Sequence, residues 1–265
     1  IVVDSDYTVK DIVVSPNATL SISPGKRLTI NGNISINGNM NMNGGNITLG
    51  SPGLFFTLGA NSVFTWDPGI NTSTEATLFT RGVENFATTS TLIIKKWFSY
   101  STPLGSVVTG NFGNLTLNSL SGASAIVEWD QSNQFESHLV LGTLTVDQGW
   151  VTLDKSGSIS NTILSNVVLT SVNSTFYGHS GNRSGSFQLN TGSVTNNGGT
   201  FIGLNDGTGN ITMKVVGNVS NIGNFKVIMN SGVAGAVIGN ATFTVTGTFS
   251  QSTGDTRFIY NVAST

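Results

Sequence analysis

The stretch Leu28–Leu49 constrains the fold more than any other part of the chain. It reads LTINGN, ISINGN, MNMNGGN, ITL. Apolar pairs fall at Leu28/Ile30, Ile34/Ile36, Met40/Met42 and Ile47/Leu49, spaced by six, six and seven residues. Within each pair the apolar-polar-apolar alternation is that of a strand with one buried face. Between pairs stand Asn-Gly-Asn or Asn-Gly-Gly-Asn, residues that accept positive φ at low steric cost. Asn-Gly between alternating runs is also the strongest short hairpin signal, and a hairpin reading gives an antiparallel meander. Strands of three or four residues make poor hairpins, however, and the unit recurs at nearly constant length. A chain that turns the same way at each small-residue corner stacks coil on coil instead.

The pattern returns at Leu115-Thr116-Leu117, Leu144-Thr145-Val146, Val151-Thr152-Leu153 and Val167-Val168-Leu169. It returns again in Ile211–Val216, Phe225–Met229 and Phe243–Phe249, now at uneven spacing. These runs predict an all-β chain, a right-handed parallel β-helix (β-solenoid) with irregular lateral loops, forming a single domain over residues 1–265. A β-sandwich is the competing architecture. Residues 61–103 break the pattern with Trp66, Phe79, Phe86, Trp97, Phe98 and Tyr100 and with much of the charge. They are expected to form a loop-rich aromatic excursion from the rod. Ile1-Val2-Val3 and Phe258-Ile259-Tyr260 keep the chain apolar up to both ends. Open solenoid ends need capping, continuation or end-to-end self-association.

Composition removes several functional classes. Asn (30), Ser (32), Thr (34) and Gly (33) make up close to half the chain, which disfavours helix. With 38% hydrophobic residues and a net charge of −2, the chain is not of the disordered type. Eleven Lys and Arg among 265 residues are too few for a phosphate-reading basic face, so nucleic acid is not an expected partner. No apolar run reaches the roughly 18–20 residues that span a bilayer as a helix. The absence of cysteine excludes disulfides, thiolate metal sites and thiol nucleophiles together.

Catalytic patterns are correspondingly sparse. His138 lies near Glu128, Asp130 and Glu136 in VEWDQSNQFESH, a weak candidate for metal or acid–base chemistry and more simply a solvated loop. Asp130 and Asp154 are 24 residues apart, a separation that one coil of a β-helix would turn into adjacency, as paired-carboxylate hydrolysis needs. The run Thr242-Phe243-Thr244-Val245-Thr246 has the alternation of a water-ordering face, but one such strand without its copy a coil away is not a flat face. No catalytic, cofactor-binding or metal residue is assigned, and no cofactor is expected. Exposed aromatic rings offer the best route to a ligand, because flat apolar faces stack on sugars. Trp66, Trp97, Tyr100 and Trp129 are therefore the candidate carbohydrate contacts.

The runs NATLSISPGKRLTINGNISINGNMNMNGG (17–45), FGNLTLNS (112–119), LGTLTVDQGWVTLD (141–154) and GNATFTVTGTFSQ (239–251) resemble the Asn/Thr/Gly-rich β-helical repeat regions of secreted Bacteroidota cell-surface proteins. The resemblance implies export through the type IX secretion machinery and an extracellular or cell-surface location. It supplies no catalytic residue. The expected function is a non-catalytic structural or adhesive segment that contacts extracellular polysaccharide. The alternative is a polysaccharide lyase or glycoside hydrolase built on a parallel β-helix.

Overall fold

The structure, a computed structural model, describes residues 1–69, 82–96, 112–118, 126–128, 140–154, 162–180, 187–205, 211–230 and 241–261. Among these residues every regular element is a β-strand. The first coils carry three short strands each: β1 (Val2–Val3), β2 (Tyr7–Val9) and β3 (Ile12–Val14), then β4 (Thr19–Ile22), β5 (Arg27–Ile30) and β6 (Ile34–Ile36), then β7 (Asn39–Asn41), β8 (Asn46–Leu49) and β9 (Leu54–Leu58). They lead into β10 (Val63–Trp66), β11 (Gly82–Phe86), β12 (Thr91–Ile94), β13 (Asn114–Asn118) and β14 (Ile126–Glu128). Longer strands follow in β15 (Val140–Asp154), β16 (Thr162–Leu169), β17 (Ser174–Ser180), β18 (Phe187–Asn196) and β19 (Thr200–Asn205). The last are β20 (Ile211–Val215), β21 (Val219–Asn221), β22 (Asn224–Asn230), β23 (Ala241–Val245), β24 (Phe249–Gln251) and β25 (Thr256–Asn261).

All pairings are parallel and join strands one coil apart, so the chain is a β-solenoid. The first face stacks β1, β4, β7, β10, β12, β13, β15, β16, β18, β21 and β24. The second stacks β2, β5 and β8, and further along β14, β15, β17, β19, β22 and β25. The third stacks β3, β6, β9 and β11, and later the leading parts of β16 and β18 with β20 and β23. This connectivity excludes both the antiparallel meander and the β-sandwich. Coil length varies, from 19 residues between Val2 and Ser21 to 31 between Phe225 and Thr256. The stretch 61–103 is not wholly an excursion, since β10, β11 and β12 all pair in the stack. Its residues 70–81 and 97–103 lie outside the described residues.

Each apolar pair of the Leu28–Leu49 repeat points inward, and all eight side chains are buried. Successive pairs belong to the second, third, first and second faces, so each Asn-Gly segment is a corner. The corners use glycine in two ways. At Asn43-Gly44 both residues have positive φ (43° and 79°), as the turn chemistry predicts. Gly32 and Gly38 have no such φ. They are needed because a Cβ would run into the previous coil, at Asp11 and Lys10 for Gly32 and at Ser15 and Ala18 for Gly38. A second column of this kind, Gly192, Gly217 and Gly247, forms the corner between the third and first faces. The Gly217 amide donates to the Gly192 carbonyl, and that of Gly247 to the Gly217 carbonyl at 3.2 Å. A Cβ on Gly217 would sit 2.5 Å from the Gly192 oxygen, which is backbone and cannot swing aside. Gly217→Ala is therefore expected to cost about 1–3 kcal/mol, read as a lower urea midpoint at unchanged slope.

The core is a set of ladders running through the coils. On the first face one ladder reads Leu20, Met40, Phe64, Leu92, Leu115, Leu144, Val167, Val194, Val219 and Phe249. The ladder beside it changes chemistry along its length, from Trp66, Ile94, Leu117, Val146 and Leu169 to Asn196, Asn221 and Gln251. Asn196 and Asn221 are fully buried and joined by an amide hydrogen bond of 2.8 Å. The aromatic rings divide into two groups. Phe56 packs edge-on against Phe64 and Phe86, at 5.4 and 5.2 Å. Phe176, Phe201 and Phe225 stack nearly parallel, at 4.7 and 4.8 Å.

Candidate functional site

Strand alternation decides which side chains reach solvent. Trp66 follows outward Thr65 on β10 and points inward, with 0% exposure and its ring 6.3 Å from that of Phe64. It fills the core between Met42 and Ile94 and presents no face to a sugar, which corrects its assignment as a carbohydrate contact. Trp97, Tyr100 and Trp129 lie outside the described residues. The exposed tryptophan among the described residues is Trp150, 48% exposed on the second face, with Tyr177 edge-on at 5.7 Å. The signal for Trp150 was in the sequence: it directly precedes the strand Val151-Thr152-Leu153, whose apolar residues mark the inward phase. Gly149, at φ 96°, sets that phase at the corner.

The first face carries the most uniform outer surface. One outward column reads Ser21, Asn41, Thr65, Ile93, Thr116, Thr145, Val168, Thr195, Ser220 and Ser250, in unbroken register. Every member is small or β-branched and none is charged. Parallel-strand spacing sets neighbours about 4.8 Å apart. The adjacent outward column holds Asn39, Val63, Thr91 and Asn114 and then Thr143, Asn166 and Ser193, also uncharged. The hydroxyls of Thr65, Thr116, Thr145 and Thr195 enter no hydrogen bond among the described residues. On the other two faces Arg27, Lys214, Lys226 and Arg257 interrupt the strands. The run Thr242–Thr246 is not repeated a coil away, since Thr244 pairs with Lys214.

The acidic residues mostly hold corners together. The Asp147 carboxylate accepts hydrogen bonds from Asn118 Nδ2 at 2.8 Å and from the Thr170 hydroxyl, while Ser171 and Ser174 donate to its carbonyl. Asp67 pairs with Lys96 at 3.2 Å and Lys95 at 3.9 Å, and Asp255 with Arg257. Such partly exposed pairs contribute little stability. Glu84 stands in register with Phe56 and is 8% exposed, out of reach of a polymer. No cluster of three metal-ligating side chains occurs among the described residues. The register does bring Asp154 beside His179, on the strands that carry Trp150 and Tyr177. β14 pairs with β15 at a step of 24, the separation of Asp130 from Asp154, but Asp130, Glu136 and His138 lie outside the described residues.

Fold and surface together define the class, a β-solenoid whose first face carries two uncharged outward columns. No protein-family model, curated protein or solved structure compared with the chain matches it.

Proposed function

We propose that the chain is a non-catalytic structural and adhesive segment, displayed outside the cell, whose first face holds polysaccharide through many weak contacts. The observation that carries this reading is the outward column from Ser21 to Ser250, hydrogen-bonding for most of its length and free of charge. A single hydroxyl contributes about 0.5–1.5 kcal/mol to a contact. A column of them repeating along the rod suits an extended sugar polymer, with overall retention raised by multivalency. Trp150 adds a stacking ring on the neighbouring face. The resemblance of the repeats to secreted Bacteroidota surface regions supports the extracellular setting and type IX export.

The test is retention on insoluble neutral polysaccharides. Removing three hydroxyls in Thr116→Ala, Thr145→Ala, Thr195→Ala is expected to weaken retention tenfold or more while the circular dichroism stays that of the parent. That figure follows from roughly 0.5–1 kcal/mol per lost hydrogen bond. Equal retention by the triple variant and the parent would remove the first face from the reading. Asp154, in register with His179, favours one second reading, a polysaccharide lyase or glycoside hydrolase acting on the second face. Release of new reducing or unsaturated ends, abolished by Asp154→Asn, would select it.

A further inference from the structure

We propose that Asn197 is a site of spontaneous deamidation, singled out by the fold from the three other Asn-Gly dipeptides of the chain. The sequence contains Asn-Gly at 31–32, 37–38, 43–44 and 197–198. The chemistry open to each is the same, because glycine has no Cβ to keep its nitrogen away from the preceding side chain. The glycine nitrogen gives up its proton to hydroxide and attacks the asparagine Cγ. The bond from Cγ to the side-chain nitrogen breaks, ammonia leaves, and a cyclic succinimide closes. Water then opens the ring at either carbonyl, giving aspartate or isoaspartate. In a folded chain the attack needs a dipeptide whose torsions can change, so a site held by hydrogen bonds or packing must first open locally.

Three of the four sites are held. At Asn43-Gly44 the attacking N–H itself donates to the Asp67 carbonyl at 2.8 Å. At Asn31-Gly32 the ties lie on either side. The Asn31 amide donates to the Val9 carbonyl at 2.9 Å, and the Asn33 amide to the Asp11 carboxylate at 2.8 Å. At Asn37-Gly38 the Asn37 and Asn39 amides donate to the carbonyls of Val14 and Ala18, both at 2.8 Å. The Asn37 side chain also donates to Ser35 Oγ at 3.2 Å. Gly32 and Gly38 are buried besides, each against the backbone of the previous coil. The corner at Asn197-Gly198 differs on every count. Asn197 is exposed and Gly198 half-buried. The Asn197 amide donates to the Leu169 carbonyl, but among the described residues no hydrogen bond engages the Asn197 side chain or the Gly198 N–H. A Cβ at Gly198 would meet only Val172, whose exposed side chain lies 3.3 Å away. The site directly follows Asn196, so isoaspartate there lengthens the backbone beside the buried amide pair that joins two coils.

The experiment is incubation of the intact chain in mildly alkaline buffer made with heavy-oxygen water, followed by peptide mapping with fragmentation that separates isoaspartate from aspartate. The heavy oxygen marks the carboxylates formed before digestion. Asn197 is expected to convert about tenfold or more faster than Asn31, Asn37 and Asn43, since each held site reacts only from its opened fraction. In concentrated guanidinium chloride the four rates should become comparable, because only the fold sets them apart. Asn197→Ser, at an exposed side chain, should remove the leading product and leave the other three rates as they were. Equal rates at all four sites in the folded chain overturn the proposal, as does faster conversion at any other Asn-Gly. So does a lead for Asn197 that persists in guanidinium, because the difference then belongs to the local sequence.

Discussion

Phe201→Ala is expected to lower the free energy of unfolding by about 3–5 kcal/mol, the usual cost of emptying a buried aromatic site. Phe201 is fully buried between Phe176 at 4.7 Å and Phe225 at 4.8 Å, the second pair within 5° of parallel. Truncation removes both ring contacts, and each aromatic pair contributes roughly 0.5–1.5 kcal/mol beyond its burial. The backbone of β19 is fixed by pairing to β17 and β22, so the coil cannot collapse to fill the space. Solenoid coils interact only with their neighbours, so the damage should be local. Hydrogen exchange should speed up in β17, β19 and β22 while β4 to β8 keep their protection. Phe201→Leu, which refills most of the volume, should lose distinctly less. A loss below about 1 kcal/mol for the alanine variant would mean that the rings do not form a continuous stack.

The second large effect is expected at Asn196, where shape and polarity are opposed. Leucine has the same branched heavy-atom outline as asparagine and would extend the apolar ladder from Leu169. The amide, however, donates to the Gly199 carbonyl at 3.0 Å, the Asn224 carbonyl at 3.1 Å and Asn221 Oδ1 at 2.8 Å. Asn221 in turn donates to the Gly223 carbonyl at 2.9 Å and accepts from the Gly223 amide. Asn196→Leu takes all three of these hydrogen bonds out of a fully buried site and puts a larger apolar side chain there, at a cost of about 2–4 kcal/mol. Replacing Asn221 by leucine as well should return part of that loss, because the Oδ1 that lost the Asn196 donor is removed with it. A double-mutant cycle in urea should therefore give a coupling of about 1 kcal/mol between the two sites. Strict additivity would show that the amides act independently.

The sequence made the fold class legible wherever inward residues and corners alternate on a short period. In Leu28–Leu49 each apolar pair marked one strand, with Met42 just past the end of β7, and each Asn-Gly a corner. The reason for the glycines was only partly legible. Positive φ explains Gly44, but Gly32 and Gly38 answer to Asp11, Lys10, Ser15 and Ala18, which became neighbours only once the coil length was set. The same limit applies to the surface. Ser21, Thr65, Thr116, Thr195 and Ser250 lie far apart in sequence, and no motif joins them. Their column exists because corners of different lengths, over coils of 19 to 31 residues, each deliver the next strand in register. Aromatic content alone misplaced the ligand contact at Trp66, because counting rings ignores strand phase. That phase buries Trp66 behind Thr65 and exposes Trp150 ahead of Val151.

The most direct test of the account is whether Thr116 and Thr145 are neighbours across a coil boundary. The chain contains no cysteine, so introduced thiols report without background. Register partners on adjacent parallel strands have Cα atoms about 4.8 Å apart, inside the range a disulfide can bridge. Thr116 and Thr143 are offset by two residues along the strand, which separates their Cα atoms by about 8 Å, beyond that range. Thr116→Cys/Thr145→Cys is expected to close an intramolecular disulfide under mild oxidation while Thr116→Cys/Thr143→Cys does not. Closure of the offset pair in preference to the register pair would contradict the coil register and, with it, the continuous outward column.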